Sequence, residues 1–390
     1  MKYMIVAGEA SGDLHGSRLI EGIKENDAEA EFRFFGGDRM AVAAGAEPDL
    51  HYDKLNVMGF SEVIRSLPRI LRNLSKARKL MQQWRPDALV LIDFPGFNLK
   101  LAKAARRLGV PVHYYISPKI WAWKEYRIRA IKRYVSHLYC ILPFEKVYYS
   151  KRHGYEVEYV GNPSVGEIDE ALRKVPAEQY FRERYDIADP RPIIALLPGS
   201  RRGELRNNLP LMIEAAKRFP EYQYIVAAAP AQPERLYREI AQDPGLKVVF
   251  GATQSLLRHS RAALVTSGTA TLETALTATP QVVCYRANGS RLSYAIMARL
   301  LKVKYVSLPN LIADREVVPE LLLHRCTADT IAENLAPLLA GSPERDRMLG
   351  GYREVRRRLG EHASGQRAGY LIVQHTLKER DNENTVKGKE

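Results

Sequence analysis

The chain has few cysteines and no long apolar run. Its three cysteines, Cys140, Cys284 and Cys326, are far apart and form no CxxC pair, so neither a zinc site nor a disulfide framework is expected. No stretch reaches the roughly 18 apolar residues of a membrane span. The opening MKYMIVAGEASGD lacks the apolar core of a signal peptide. These absences favour a globular protein of a reducing compartment.

Three common ligand-binding signatures are also missing. The turn Gly8–Asp13 does not have the GxGxxG spacing of a dinucleotide site, and no Gly-Lys-Ser/Thr follows it as in a Walker A loop. No Asp-x-Asp pair occurs, so the sequence offers no ready site for a divalent metal bridging a diphosphate. We predict that the protein uses neither a metal nor another cofactor.

The chain does have the length and the charge to bind large anionic ligands. At 390 residues it exceeds the usual size of one hydrophobic core, which predicts two domains. Its net charge of +14, from 59 basic and 45 acidic residues, favours nucleic acid, anionic lipid headgroups or phosphorylated substrates as partners. The charge alone does not choose among them.

Short β-rich runs alternate with amphipathic stretches, as in βαβ units around parallel sheets. The alternation stops in a charged segment and restarts near residue 193, so we predict an α/β fold with two Rossmann-like domains whose sheets face a central cleft. The predicted domains are 1–163 and 164–342. Helices over 343–378 are expected to pack back on the first domain or to swap in a dimer, and 379–390 to be a disordered tail. The predicted strands are Tyr3–Ala7, Phe32–Phe35, Ala88–Ile92, Val112–Ile116, Leu138–Leu142, Val157–Val160, Ile193–Leu197, Tyr224–Ala228, Lys247–Phe250, Ala262–Val265 and Gln281–Cys284.

Three glycine-containing turns follow predicted strands and open helices, where backbone N–H groups favour anions. The turn GEASGD brings small residues to such a place, although it could equally be a plain tight turn. PGSRRGEL adds a guanidinium that can clamp phosphate oxygens, and TSGTATLE adds hydroxyls and Glu273, in reach of ribose hydroxyls. Helix capping is the alternative for its Ser and Thr residues. The candidate residues are Gly8, Glu9, Ser11, Gly12, Gly199, Ser200, Arg201, Ser267, Gly268, Thr269 and Glu273.

Asp93 ends a strongly apolar strand, ALVLID, and is the candidate proton acceptor. Partial burial at the sheet edge would raise its pKa and suit it to general base catalysis. The alternative is that its carboxylate only accepts hydrogen bonds from loop N–H groups.

An apolar stripe edged by arginine and lysine runs through NVMGFSEVIRSLPRILRNLSKARKL. Such a stripe can insert into the surface of an anionic bilayer or contact acyl chains. A helix that faces the protein core shows the same pattern. The candidate contact residues are Val57, Met58, Phe60, Ile64, Leu67 and Leu71.

The motifs GEASGD, MGFSEV, IDFPGFN, HYYISPKIWAW, PFEKVYY, LLPGSRRGE, TSGTATLE and VSLPNLIA together resemble, in order, those of the lipid-A-disaccharide synthase family. The resemblance spans nearly the whole chain. It implies a GT-B fold and transfer of 2,3-diacylglucosamine from UDP-2,3-diacylglucosamine to 2,3-diacylglucosamine 1-phosphate, with inversion, giving a β-1,6 link and UDP. No cofactor is implied.

The resemblance also implies roles for single residues. Asp93 matches the family's base or substrate-orienting acid, Arg201 its phosphate partner, and Asn310 of LPNL a nucleotide contact at the cleft. The candidate acceptor-binding residues are those of the GEASGD turn: Gly8, Glu9, Ser11 and Gly12. The chain departs from some relatives at Gly96, where they have a second aspartate, and at Asn162, where they have histidine.

A peripheral place on the cytoplasmic face of the inner membrane of a Gram-negative bacterium follows from the acylated substrates that the resemblance implies. A homodimer formed by swapped C-terminal helices is also compatible with it. Two alternatives stay open: a UDP-sugar epimerase on the same scaffold, and a basic nucleic-acid-binding protein. Scattered cations and the lack of an aromatic ladder argue against specific nucleic-acid binding.

Overall fold

The computed structural model describes residues 1–55, 67–286, 304–361 and 363–387. The chain forms two compact units. The first, unit 1, contains Met1–Pro163 and Glu361–Glu390, and the second, unit 2, contains Ser164–Gly360. Each unit has its own sheet of parallel strands with helices packed against it.

Unit 1 contains a seven-stranded sheet in the order β3-β2-β1-β4-β5-β6-β7. Its strands are β1 (Lys2–Ala7), β2 (Glu31–Gly36), β3 (Leu50–His51), β4 (Ala88–Ile92), β5 (Val112–Tyr115), β6 (His137–Cys140) and β7 (Glu158–Tyr159). Its helices are α1 (Ala10–Lys24), α2 (Asp38–Ala44), α3 (Leu67–Trp84), α4 (Pro95–Arg107), α5 (Ile128–Tyr134), α6 (Pro143–His153) and, from the end of the chain, α16 (Ser364–Lys387).

The central strands of unit 1 are apolar throughout because helices cover both faces of the sheet. Met4 and Leu89 point to one face and join a cluster with residues of α3 and α4. Tyr3 and Val90 point to the other face and join a cluster with residues of α1 and α16. The alternation of side chains along each strand therefore fills two separate cores.

Unit 2 contains a six-stranded sheet in the order β10-β9-β8-β11-β12-β13. Its strands are β8 (Ile193–Leu197), β9 (Gln223–Ala228), β10 (Val248–Phe250), β11 (Ser260–Thr266), β12 (Gln281–Tyr285) and β13 (Glu320–Leu322). Its helices are α7 (Pro163–Arg173, whose first residue closes unit 1), α8 (Glu178–Arg184), α9 (Arg202–Ala216), α10 (Glu234–Ala241), α11 (Thr253–Arg258), α12 (Thr269–Leu276), α13 (Leu308–Ala313), α14 (Ala328–Leu339) and α15 (Pro343–Leu359).

The C-terminal segment differs from its prediction. The helical stretch expected over 343–378 is two helices, because Gly360 has a left-handed φ of 70° and ends α15. The second helix, α16, continues to Lys387, so the disordered tail predicted from residue 379 is helical as far as 387. Contacts of Glu379 with His137 and of Arg380 with Asp87 hold this extra length against unit 1.

None of the helices in the described ranges is long and apolar enough to cross a membrane.

Candidate functional site

Both sheets place their candidate residues where the strand order reverses. In unit 1 the strands β1 and β4 are neighbours, and in unit 2 the strands β8 and β11 are neighbours, although neither pair is consecutive in the chain. The loops after two such strands diverge and leave a crevice at their carboxyl ends, which is the usual ligand site of open parallel sheets. GEASGD and Asp93 follow β1 and β4, and PGSRRGEL and TSGTATLE follow β8 and β11.

In unit 2 these loops line a cavity of about 520 Å³. Its size is within the range of small-molecule sites. The structure brings together there all the candidate nucleotide-binding residues of the two loops. These are Gly199, Ser200, Arg201, Ser267, Gly268, Thr269 and Glu273.

The free N–H groups at the start of α9 are already hydrogen-bonded to a carboxylate of the protein, that of Glu204. A carboxylate oxygen of Glu204 accepts hydrogen bonds from the backbone N–H groups of Ser200 (3.0 Å) and Arg201 (3.2 Å). Gly199, with φ of 106°, lies so close that a Cβ there would be 2.5 Å from the same carboxylate. Glu204 therefore stabilises the N-terminus of its own helix, and Arg201 is the group left to reach outward. The Arg201 side chain is 84% exposed and only 3.6 Å from Glu204.

The first turn of α12 is different, because no side chain of the described residues caps it. Its N-cap is Gly268 with φ of 146°, and the hydroxyl of Thr266 at the end of β11 is buried without a described hydrogen-bond partner. Burial raises the pKa of Glu273, one turn into the helix, and no cation contributes to that shift. This side of the cavity thus offers N–H donors, a hydroxyl and a carboxylate acceptor to a ligand.

Asn310 does not line this cavity. Its side chain is fully buried, and its Nδ2 donates to the carbonyl of Val318 (2.9 Å) and to Glu320 (2.8 Å). Its Oδ1 accepts from the N–H groups of Val317 (2.7 Å) and Val318 (2.9 Å). The LPNL motif therefore holds the loop before β13, and the predicted nucleotide contact of Asn310 has no support in this arrangement.

Asp93 lies on a strained turn at the end of β4. Asp93 and Phe94 both have left-handed φ angles, 43° and 47°, which cost residues other than glycine of order 1–3 kcal/mol each. The carbonyl of Asp93 accepts hydrogen bonds from Tyr114 (2.5 Å) and Asn98 (2.8 Å), which hold the turn. Gly8 makes room for it, since a Cβ on Gly8 would be 2.5 Å from the Phe94 ring.

The surroundings of Asp93 raise its pKa, as the sequence predicted. Burial is the main cause, and the negative charge of Glu9 adds to it. The positive charge of Lys119, the N–H of Phe94 and the charge of Arg127 act in the opposite direction. A half-buried carboxylate of raised pKa is suited to accept a proton near neutral pH.

The GEASGD turn joins β1 to α1 beside Asp93. Gly8 and Gly12 are buried, while Glu9 and Ser11 are exposed and hydrogen-bonded to each other at 2.7 Å. A Cβ on Gly12 would be 3.2 Å from that of Ala7, so this glycine allows α1 to approach β1. Glu9 and Ser11 are thus the two candidate acceptor-binding side chains that face solvent.

Glu145 is a buried carboxylate that the sequence did not single out. It accepts hydrogen bonds from Ser117 (2.9 Å), Trp121 (2.9 Å) and the N–H of Leu142 (3.1 Å). Burial raises its pKa to about 7, against the effect of these donors and of Lys119. Glu145 ties the segment 117–121, which carries Lys119, to the start of α6. Only the PFE motif hinted at it, through glutamate at the third residue of a helix that begins with proline.

Two of the six candidate membrane-contact residues lie in the described ranges. Leu67 and Leu71, on α3, are 48% and 54% exposed. Their neighbours Leu74 and Met81, further along α3, are buried in the core. The other four, Val57, Met58, Phe60 and Ile64, lie outside the described residues.

Comparison with known proteins identifies the family. The family model for lipid-A-disaccharide synthetase matches residues 3–371. The chain belongs to that family. The lipid-A-disaccharide synthase of Myxococcus xanthus is 40% identical over 379 residues, covering 96% of this chain and 97% of the relative. That of Acidobacterium capsulatum is 40% identical over 395 residues, covering 96% of each. The family that the motifs suggested is thereby confirmed.

Solved structures share the fold of this lipid-A-disaccharide synthetase family member. A UDP-GlcNAc 2-epimerase from Neisseria meningitidis bound to UDP-GlcNAc matches with a TM-score of 0.65 and 14% identity, over 97% of this chain and 100% of that one. MurG from Acinetobacter baumannii matches with a TM-score of 0.57 and 13% identity, over 96% and 99%. At such identities the likeness concerns the fold alone, and it confirms the predicted α/β, GT-B class.

Proposed function

We propose that this protein transfers 2,3-diacylglucosamine from UDP-2,3-diacylglucosamine to 2,3-diacylglucosamine 1-phosphate, with inversion, and releases UDP. The observation that carries the proposal is the cavity of unit 2, which collects seven residues predicted for the nucleotide from two separate loops. Family membership supports the reaction type. The identity of both sugars rests on the family resemblance.

The cavity suits the UDP part of the donor. The uncapped N-terminus of α12 and the exposed guanidinium of Arg201 offer positive potential to the diphosphate. Glu273, which lines the same cavity, is assigned to accept hydrogen bonds from the ribose hydroxyls. The N–H groups of Ser200 and Arg201 are bonded to Glu204, so we assign the phosphate contact of this loop to the Arg201 side chain rather than to its backbone.

The chemical step needs one base and one stabilised leaving group. Asp93 takes the proton from the 6-hydroxyl of the acceptor, whose oxygen forms a bond to the anomeric carbon of the donor sugar. The bond from that carbon to the diphosphate oxygen breaks, and its electron pair leaves with UDP. Arg201 and the start of α12 stabilise the charge that develops on the diphosphate. Attack from the face opposite the leaving group inverts the configuration.

Product analysis tests the reaction. Purified protein is incubated with UDP-2,3-diacylglucosamine, with and without 2,3-diacylglucosamine 1-phosphate. The lipids and nucleotides are then separated, identified and quantified by mass spectrometry. We expect a disaccharide 1-phosphate and stoichiometric UDP only when the acceptor is present. We expect Asp93→Asn to lose about 10²–10⁴-fold in rate, and Asp53→Asn, an exposed aspartate of the same unit, to keep the wild-type rate.

The same assay separates the two alternatives. A UDP-sugar epimerase would change its UDP-sugar without the acceptor, and the structures that suggest it share only the fold. A nucleic-acid-binding protein would give no product, and its binding would weaken steeply with added salt. Either result would contradict the proposed transfer.

We also propose that the protein works at the cytoplasmic face of the inner membrane, because both proposed substrates carry acyl chains. Leu67 and Leu71 expose apolar surface on a helix that also carries Arg69, Arg72 and Lys76. Changing both leucines to serine should release the protein from anionic vesicles without lowering its melting temperature. Unchanged partitioning would contradict membrane contact through α3. A homodimer, the other partner that the resemblance suggests, is tested by light scattering of the purified protein.

A further inference from the structure

A group of histidine and glutamate side chains lies between the sheet of unit 1 and α16. His137 is on β6, Glu158 is on β7, and His375 and Glu379 are one turn apart on α16; we call these four the His–Glu cluster. One potential ligand atom from each of His137, Glu158 and His375 lies within 4.8 Å of the others. None of these residues takes part in the proposed transfer reaction.

A chain of hydrogen bonds behind the cluster determines which ring nitrogens of His113 and His375 carry a proton. The Thr376 hydroxyl donates its hydrogen to the carbonyl of Ile372 at 2.7 Å, so it can only accept from Nε2 of His113, at 3.3 Å. His113 is fully buried between two hydroxyl partners, which favours the neutral imidazole, with its proton on Nε2 and a lone pair on Nδ1.

The chain of hydrogen bonds continues from His113 through Tyr139 to His375. The Tyr139 hydroxyl donates to Nδ1 of His113 at 3.0 Å, which leaves its oxygen to accept from Nδ1 of His375 at 2.9 Å. A neutral His375 with its proton on Nδ1 has a lone pair on Nε2, and Nε2 lies 3.4 Å from a carboxylate oxygen of Glu158.

A positive charge between Nε2 of His375 and the Glu158 carboxylate stabilises both groups, and a metal ion can supply it. A second His–Glu pair lies beside the first, with Nε2 of His137 3.3 Å from Oε1 of Glu379. The other oxygen of Glu379, Oε2, is buried and has no hydrogen-bond donor within the described part of the chain. The cluster therefore brings two imidazoles and two carboxylates together, a metal-binding combination that the sequence did not predict.

We propose that His137, His375, Glu158 and Glu379 bind one divalent transition-metal ion of the Zn²⁺ class, which fastens α16 to the edge of the sheet. Imidazole and carboxylate are ligands that Zn²⁺ prefers. Two atoms bound to the same tetrahedral zinc are about 3.4 Å apart, close to the separations within both His–Glu pairs. The bond from Nδ1 of His375 to Tyr139 is the outer-shell contact that metal-bound histidines usually make. The wider separations among His137, Glu158 and His375, up to 4.8 Å, require side-chain rotation on binding.

Metal titration of the whole protein, purified without a histidine tag and stripped with EDTA, tests the site. We expect Zn²⁺ to bind with one site per chain in isothermal titration calorimetry and to raise the melting temperature. We expect Co²⁺ to give the visible absorption of a tetrahedral nitrogen and oxygen site. Absence of both the calorimetric site and the Co²⁺ spectrum in the wild-type protein would overturn the proposal, whatever the variants do.

Two variants and one matched control locate the ion. Glu158→Gln changes a side chain on an edge strand that is 41% exposed, so the fold should survive, and we expect at least tenfold weaker Zn²⁺ binding. His375→Gln should lose both the binding and the thermal shift. The control is His153→Gln, which removes a histidine that also lies near a glutamate, Glu125 at 3.5 Å, but outside the cluster. Binding that is unchanged in Glu158→Gln and His375→Gln, or that is lost in His153→Gln, would contradict the assignment.

Discussion

Two charged neighbours act on the pKa of Asp93 in opposite directions. Glu9 raises it and Lys119 lowers it. The base must be deprotonated to work, so activity falls as the pH falls through this raised pKa. We expect Lys119→Gln to move the acidic limb of kcat/KM to higher pH, and Glu9→Gln to move it to lower pH.

The pH dependence of kcat/KM for the two variants checks this prediction. Both residues lie near the proposed acceptor site, so KM can change in either variant, but the direction of the midpoint shift depends only on charge. Shifts in the same direction, or an acidic limb that neither variant moves, would show that Asp93 is not the titrating base.

Gly8 allows the strained turn at Asp93 and Phe94 to form. A methyl group at this position would overlap the Phe94 ring, so Gly8→Ala should destabilise the fold by about 1–3 kcal/mol and displace Asp93. We expect a lower denaturation midpoint in urea and a loss of activity larger than the loss of folded protein. Gly96→Ala is the matched control, because open space surrounds that position within 4 Å, and alanine should be neutral or slightly stabilising in a helix. A Gly8→Ala variant with wild-type stability and activity would contradict the close packing of Gly8 against Phe94.

For single residues, the sequence predicted those whose role depends on their position at the end of a strand. The raised pKa of Asp93 follows from an acidic residue after an apolar strand, which the printed sequence shows directly. Glu145 was not predicted, because its donors Ser117 and Trp121 lie 28 and 24 residues away. Nor did the spacing between Arg201 and Glu204 reveal that a glutamate would occupy the helix N-terminus, since the usual pattern begins with serine or threonine.

The helix α16, from the end of the chain, supplies part of the core of unit 1. Its residues Ala368, Ile372 and Val373 are buried in one of the two cores of the sheet, and its Ser364 is hydrogen-bonded to Tyr115 at 2.8 Å. We expect a chain ending at Gly360 to lose the cooperative unfolding of unit 1, seen as a missing transition in calorimetry. A chain ending at Asp381 keeps the buried residues and the His–Glu cluster, and should unfold like the full chain. Similar behaviour of the two truncations would contradict this role.

The elements that the sequence missed are those with the weakest local signal. Strands β3 and β13 have two and three residues and were missed, whereas the equally short β7 and β10 lie within longer β-rich runs and were predicted. The break between α15 and α16 was also missed, because it depends on one glycine. In contrast, the ALVLID and PIIALL strands were predicted correctly because buried parallel strands are apolar on both faces. Most strands and their closing turns could thus be read from the sequence, whereas β3, β13 and the contacts between distant segments required the structure.

At the scale of the whole molecule, the proposed reaction needs no metal at the diphosphate, because Arg201 and the N-terminus of α12 supply the positive charge. We expect the initial rate at a temperature well below unfolding to be the same with and without EDTA. A rate that falls with EDTA and returns with added Mg²⁺ would contradict this prediction. A lower melting temperature in EDTA with an unchanged rate is the outcome expected if the His–Glu cluster holds a structural zinc ion.

The central claim is that Arg201 holds the diphosphate of the donor in the cavity of unit 2. Steady-state kinetics with UDP-2,3-diacylglucosamine, comparing Arg201→Ala with Arg202→Ala, tests it most directly. The two arginines are adjacent and both exposed, but only Arg201 lines the cavity. We predict a loss of about 10²-fold or more in kcat/KM for Arg201→Ala and a nearly wild-type value for Arg202→Ala. Equal losses in the two variants, or no loss in Arg201→Ala, would contradict the claim.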